Sequence, residues 1–512
     1  MSASEAARVG ADALALLRAL HECGCVHGRM YSDSLVRGVP GTPLADALFL
    51  VGLRRATPWR DPVTHRHVDY EQRHNPIIRA TCLSLHLMLG RTPTRRDDLE
   101  SLAYRLIRLQ GGLLPWDKEP YAFFASLQRQ SKAAWSMDAA SIGGAGVPPS
   151  FIAFARAACA LRFDEEPPYA ALAALLDPAA AGPERSLDSR PPPAGGTELG
   201  WLAVLGSRAG PAVAQRCLFD VPKEHVASRL ADAASQGLHV SCASCRRAAG
   251  RDLRTLVLDA GTGFSEQVWY LSEPEFLGTS LPQEWIVERW ENGYHITSLA
   301  GSASGAALVV MSTGTPYTQQ CYKVSDEFPF GWVEEQWKQG CHVTSMATLG
   351  EGPRIGSTIW AVVVSRNADF VEQVVEVDCG LSSDEGVRRR WDAGAFITAA
   401  SASPDMAAFA LSVPRRRFGQ LAASYGDGAQ AAIVARSSAA LAAQLPARWA
   451  QGMGVVALAY GIVRSSRASA PALERSAPNL PPDAATAPAA SAVQPDAAAD
   501  QEKPSEMEAD DA

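Results

Sequence analysis

A chain of 512 residues, 47% hydrophobic and 20% charged, has the length for two or three domains with cores of their own. No apolar run approaches the ~18 residues that a membrane-spanning helix needs, and the first thirty residues lack the pattern of a secretory signal. The net charge is −8, and Ser476 to Ala512 supplies −7 of it through eight acids and one lysine. The rest is close to neutral, which argues against a broad basic face for nucleic acid.

Apolar spacing predicts a helix over residues 11–23, then a short loop around Gly24 to Gly38. Leu48-Phe-Leu-Val51 reads as a short buried strand. Residues 97–110 form an amphipathic helix with acids in the first turn, where the helix dipole favours them. Helical patterns recur at 119–135 and 149–161, so residues 1–178 are expected to be mainly α. The Ala/Pro/Gly/Ser-rich stretch 179–197 reads as a linker. Residues 198–463 turn to short β-branched and aromatic runs, and 464–512 is an Ala/Pro-rich acidic segment expected to be disordered.

The β-rich region repeats. Trp285-Ile-Val-Glu-Arg-Trp-Glu-Asn-Gly293-Tyr-His-Ile-Thr-Ser recurs as Trp332-Val-Glu-Glu-Gln-Trp-Lys-Gln-Gly340-Cys-His-Val-Thr-Ser, and again around Trp391 and Gly394. Weaker copies surround Gly237 and Gly452, so the marker glycines stand 56, 47, 54 and 58 residues apart. Each unit offers about three strands and a short helix, which predicts stacked or radially arranged units. A propeller-like ring of about five units fits best, with an open stack as the alternative. The tryptophans should pack on the sheets, and each glycine should end its helix in the left-handed conformation. The whole chain is therefore expected to be an α+β multidomain protein.

Two Cys/His clusters invite a metal reading: His21, Cys23, Cys25 and His27, and the pair Cys242 and Cys245. A structural zinc site pairs two knuckles at suitable spacing, and neither cluster has a second knuckle, so no metal is expected.

Several stretches resemble one kinase family. Val26-His-Gly-Arg-Met-Tyr-Ser-Asp-Ser-Leu35 is similar to the catalytic loop of casein kinase 1 relatives, and Leu48-Phe-Leu-Val-Gly-Leu-Arg54 to the strand entering their metal-binding motif. Thr57-Pro-Trp-Arg-Asp-Pro follows as in that family. Leu89-Gly-Arg-Thr-Pro-Thr-Arg-Arg-Asp-Asp-Leu-Glu-Ser-Leu-Ala-Tyr104, Leu114-Pro-Trp116 and Phe163-Asp-Glu-Glu-Pro-Pro-Tyr169 complete the match over about residues 11–178. The later region resembles the C-terminal domain of plant and green-algal nuclear members, through Leu258-Asp-Ala-Gly-Thr-Gly-Phe264, Tyr322-Lys-Val-Ser-Asp-Glu-Phe-Pro-Phe330 and Leu411-Ser-Val-Pro-Arg-Arg416.

The resemblance implies ATP, magnesium and transfer of phosphate to serine or threonine, yet the matching positions do not carry that chemistry. The catalytic aspartate falls at Arg29, whose guanidinium accepts no proton. The loop lysine falls at Tyr31 and the metal-holding asparagine at Ser34, a weaker ligand. The metal-holding aspartate falls at Gly52, which has no side chain. No intact catalytic residue, cofactor site or metal site is expected. The chain opens at the helix before the loop, so the N-terminal kinase lobe is expected to be missing, leaving apolar surface exposed. Gly143-Gly-Ala-Gly146 reads as a loop. Arg95, Arg96, Asp97, Asp98 and Glu100 read as structural, starting the central helix of the lobe.

The function expected is a pseudokinase-like interaction protein that binds protein partners through residues 198–463, touches neither nucleic acid nor membrane, and sits in the nucleus or cytoplasm, the nucleus by resemblance. The alternatives are an active kinase of nuclear proteins, and a decayed coding sequence without a stable fold.

Overall fold

Helical apolar spacing builds the first half and short β-branched runs the second. The computed structural model describes residues 2–30, 33–72, 82–117, 147–177, 197–207, 215–260, 262–272, 281–352, 358–378, 381, 385–403, 406–414, 430–464 and 473–475. All described residues lie in one compact unit, Met1–Ser476. The expected helix at 119–135, the Gly143–Gly146 loop, most of the 179–197 linker and most of the acidic segment lie outside the described residues.

Helix α1 (Ala3–Glu22) opens on a capping box. The Glu5 N–H donates to the Ser2 hydroxyl at 3.2 Å and the Ser2 N–H to the Glu5 carboxylate at 2.9 Å, which satisfies end groups left without helical partners. Two ribbons follow: β1 (Cys25–Val26) with β4 (Thr57–Pro58), and β2 (Leu35–Arg37) with β3 (Leu48–Leu50). Helices α2 (Leu85–Met88), α3 (Arg95–Leu109), α4 (Pro149–Cys159) and α5 (Tyr169–Leu175) complete a helical lobe. Leu14 and Leu17 of α1, Leu99 and Leu106 of α3, and Phe151 and Phe154 of α4 meet in one core, with Trp116 sealed among them. Apolar burial of this kind is the main favourable term in the lobe.

In the second half an outer strand, a helix, an inner strand and a middle strand recur in that chain order. Strand β5 (Thr197–Ser207) comes first. Next, β6 (Gln215–Pro222), α6 (Lys223–Ser235), β7 (His239–Ala248) and β8 (Arg251–Asp259) give a sheet ordered β6-β8-β7. Then β9 (Gln267–Leu271), α7 (Gln283–Glu291), β10 (His295–Gly301) and β11 (Ala307–Ser312) are ordered β9-β11-β10. The third set is β12 (Gln319–Ser325), α8 (Phe330–Lys338), β13 (Cys341–Glu351) and β14 (Thr358–Arg366), ordered β12-β14-β13. The fourth is β15 (Phe370–Asp378), α9 (Glu385–Asp392), β16 (Phe396–Ala402) and β17 (Ala407–Pro414), ordered β15-β17-β16. The fifth joins β18 (Gln430–Ala435), α10 (Ser438–Ala450), β19 (Met453–Arg464) and β20 (Leu473–Arg475) to β5, in the order β19-β5-β18-β20.

Among the described residues every strand pairing is antiparallel, and in the first four sheets the inner strand runs into the middle one through a short connection. The middle strands are the most buried, and β11 is buried at every residue. Inner strands lie beside one another: β7 packs on β10, β10 on β13, β13 on β16, β16 on β19, and β19 on β7. Glycines 237, 293, 340, 394 and 452, each just after a helix, have φ from +69° to +106°. Only glycine takes this region without penalty, so each one turns its helix into the inner strand.

One expectation is corrected. Leu48–Val51 reads as a buried strand, but Leu48 and Leu50 pack on the core while Phe49 and Val51 face solvent, since a two-stranded ribbon covers one face only. β19 runs through Arg464, and Leu473–Arg475 adds an edge strand to β18.

Candidate functional site

The candidate catalytic loop is held from below by α3. Asp98 is buried, and its Oδ2 accepts from the His27 N–H at 2.7 Å while its Oδ1 accepts from the Gly28 N–H at 2.8 Å. His21 Nε2 lies 3.0 Å from the same carboxylate, and His21 Nδ1 lies 2.7 Å from the Tyr169 hydroxyl. His27 points inward, with Nε2 2.9 Å from the Val51 carbonyl. Both histidines are thus engaged in scaffolding, and among the described residues no three potential ligands converge on a metal position.

Arg29 is half-buried beside this frame, with its N–H donating to His27 Nδ1 at 3.4 Å. Ser34 is buried, and Tyr31 lies outside the described residues. Gly52 sits at φ +86°, where an added Cβ would stand 3.6 Å from His27 Nε2. Arg29 and Gly52 thus both neighbour His27, the first through its backbone N–H and the second at contact distance from the ring. Around it, Val36, Val39, Leu44, Phe49, Val51 and Leu53 are exposed on the β2–β3 ribbon and the turns beside it.

The charged run at the start of α3 does more than cap a helix. Asp97 Oδ2 accepts from the Thr94 N–H at 2.8 Å and its Oδ1 accepts from the Ser84 hydroxyl at 2.6 Å. Burial pushes its carboxyl up to about 7, against the pull of Arg96. Arg96 itself reaches out of the lobe. Its Nη1 donates to Glu385 Oε2 at 2.5 Å, at the head of α9, while Glu385 Oε1 accepts from the Phe163 N–H at 2.8 Å. Burial alone would raise the Glu385 pKa, but the Arg96 guanidinium holds it below the ordinary glutamate value.

More contacts surround that pair. Arg91 forms a buried ion pair with Asp378, their side chains 3% and 8% exposed. Burial works against the Arg91 charge, yet Asp378 raises its pKa overall. Arg389 pairs with Asp164 at 3.0 Å and lies over the Phe163 ring at 5.1 Å. Arg390 donates to the Tyr70 carbonyl at 2.9 Å and to Glu376 at 3.3 Å. Gln72 pairs with the edge of β15 like a strand: its Oε1 accepts from the Val377 N–H at 2.9 Å and its Nε2 donates to the Val377 carbonyl at 3.1 Å. Gly386 lets the two sides close. A Cβ there would stand 2.7 Å from Glu376 Oε2 and 2.8 Å from the Tyr70 hydroxyl. The lobe and the fourth sheet are thus joined by three ion pairs, Arg91–Asp378, Arg96–Glu385 and Arg389–Asp164, the first of them shielded from water on both sides.

Comparison with known proteins assigns both halves. Residues 193–465 match the family model described as "Domain of unknown function (DUF7477)", more than half of the chain. "Casein kinase 1-like protein HD16" of Oryza sativa subsp. japonica is 36% identical over 357 residues, which is 64% of this chain and 48% of that protein. The chain is a casein kinase 1-like protein of the DUF7477 family. "Casein kinase I homolog 2" of Schizosaccharomyces pombe is 32% identical over 166 residues, covering 32% of this chain and 38% of the relative. "Casein kinase I homolog 1" of Saccharomyces cerevisiae is 27% identical over 176 residues, covering 33% of this chain and 31% of the relative. The chain spans about half the length, or less, of the curated relatives it matches.

The residues of this casein kinase 1-like lobe do not fit magnesium and ATP. Magnesium on a nucleotide asks for carboxylate oxygens. Position 52 is a glycine and offers none. Position 29 carries a guanidinium, a fixed cation that cannot bind a metal ion.

Sequence reasoning missed five glutamines of the DUF7477 region. Each inner strand has a β-bulge, at Val240, Ile296, Val343, Ile397 and Val455. A bulge leaves one residue's N–H and C=O unpaired. In every case a glutamine on the outer strand of the next sheet satisfies both. Gln267 serves Val240, Gln320 serves Ile296, Gln373 serves Val343 and Gln430 serves Ile397. Gln215 serves Val455, linking the last inner strand to the first outer one. Trp290, Trp337 and Trp449 donate their indole N–H to three of these glutamines. The sequence does hold a signal, since the five recur 52 to 57 residues apart.

Proposed function

We propose that this chain is an interaction protein in which a catalytically inert, casein kinase 1-like lobe is mounted on a propeller-like ring that binds protein partners. Arg29 standing where the family has its catalytic aspartate carries the reading, with Gly52 as its companion. A guanidinium cannot take the proton of an attacking hydroxyl. The ring reading is supported by the circuit of inner-strand contacts and by five glutamines that link each sheet to the next. On this reading the lobe is residues 1–178 and the ring 198–463, and the protein works in the nucleus or cytoplasm.

A rigid ring with many loops suits recognition. The ion pairs to β15 and α9 fit a lobe held in a fixed place against the ring. Purified chain incubated with ATP, magnesium and casein should transfer no phosphate, and ATP should not raise its melting temperature. Transfer that survives at the wild-type sequence would overturn the inert-lobe reading and restore a serine/threonine kinase. Failure of the ring, expressed with its lobe, to retain any protein partner specifically would overturn the interaction reading.

A further inference from the structure

An edge strand offers unpaired N–H and C=O groups to any extended chain, and folded proteins cover or blunt such edges. Two of the five outer edges are covered within this chain. On β18, Gln430 and Ala432 stand opposite Arg475 and Leu473 of β20. On β15, the Gln72 amide takes both backbone groups of Val377.

Register carries that geometry to β12. Gln373 and Val377 face Ser412 and Ala408 of their middle strand, as Gln320 and Val324 face Ser365 and Ala361 of theirs. The Val377 groups point away from the sheet, so those of Val324 do too. In an antiparallel ladder alternate residues share a direction, so Tyr322 and Gln320 present their groups outward as well. Among the described residues β12 pairs on one side only, with β14. The other open edges are poorer: β6 is broken by a bulge between Leu218 and Val221, and β9 has five residues.

The side chains along this edge point to a kind of ligand. Tyr322 and Val324 are half-buried on one face beside Trp285 and Trp290, with the Trp290 and Tyr322 rings 5.9 Å apart. Cys321 lies on the other face with Phe330 and Trp332. The one charge on the strand is the exposed Lys323. A second copy would bring its own Lys323 to the edge, and like charges facing across strands are unfavourable. We propose that the outer edge of β12 accepts an extended acidic segment of a protein partner, which adds a fourth strand with apolar residues on the aromatic faces and a carboxylate near Lys323. This deepens the interaction reading above and rests on it.

The test uses the whole chain and a fluorescent seven-residue peptide alternating valine and glutamate, followed by anisotropy. The acidic peptide should bind, and an alternating valine–lysine peptide should bind at least tenfold more weakly. Val324→Pro removes an outward N–H and no ladder bond, so it should weaken binding at least tenfold while the sheet persists. Should that variant fail to fold, hydrogen exchange on the unaltered chain decides, because the peptide should slow exchange of the Tyr322 and Val324 amides. No binding by the acidic peptide, or binding that leaves those amides unprotected, overturns the proposal. A protein partner that binds the ring without protecting β12 overturns it too, and leaves the interaction reading standing.

Discussion

Removing Arg91 should loosen the lobe from the fourth sheet by a large and specific amount. Arg91 and Asp378 are both shielded from water, and Glu376 lies two residues from Asp378 on the same strand face. Arg91→Met takes away the guanidinium that pairs with Asp378 and pulls on Glu376. Breaking a buried pair from one side costs about 3–5 kcal/mol, because a charge stays behind without compensation. Asp378→Leu should cost a similar amount for the mirror reason. The double variant Arg91→Met/Asp378→Leu should recover most of the loss, since replacing a whole buried pair by apolar groups is often close to neutral. Urea unfolding followed by tryptophan fluorescence gives the global effect. Native-state hydrogen exchange at Val377 and Phe163 reports the interface, which matters where unfolding is not two-state. If each single variant costs less than about 1 kcal/mol, or if the double variant equals the sum of the singles, the pair is not coupled as described and the mount is weak.

Gln373→Ala should destabilise by about 2–4 kcal/mol, since it orphans the Val343 N–H and C=O together with the Trp337 indole N–H; the readout is the urea midpoint, and a change under 1 kcal/mol would refute the bulge account. Gly386→Ala should cost about 1–3 kcal/mol by overpacking, because its Cβ would meet Glu376 and the Tyr70 hydroxyl, and calorimetry checks it. Asp97 sets a pH dependence. Its folded value of about 7 lies above the free value of 3.8, so its contribution is full below the free value and is lost as pH rises through about 7. Stability measured from pH 4 to 8 should therefore fall with pH relative to Asp97→Asn, and parallel curves would refute the assignment.

Local structure was legible where one stretch of chain holds the whole cause. Apolar spacing at residues 11–23 and 97–110 marks α1 and α3, and the marker glycines announce the left-handed turns after each helix. The repeated tryptophans read as packing residues from their spacing, and three of them also donate to the glutamine clamps. Arg29, Ser34 and Gly52 stand out by their place in a motif, while the frame of Asp98 and His27 around them follows from long-range bonds no spacing reveals. Spacing places Arg96 at a helix start. Its partner Glu385 is 289 residues away, and nothing periodic connects the two. The glutamines escaped notice because each looks like an ordinary strand residue until the neighbouring bulge is seen.

The place of β5 bears on how the chain is made. This strand ends at Ser207, but its neighbours in the sheet begin at Gln430 and Met453. At the ~5–20 residues per second of translation, an apolar segment leaves the ribosome roughly 10–45 seconds before anything exists for it to pair with. For that interval Trp201, Leu202, Val204 and Leu205, all buried in the end, stand open to mispairing. Nascent chains halted short of residue 430 should lean heavily on chaperones, and those released just past 464 should shed them.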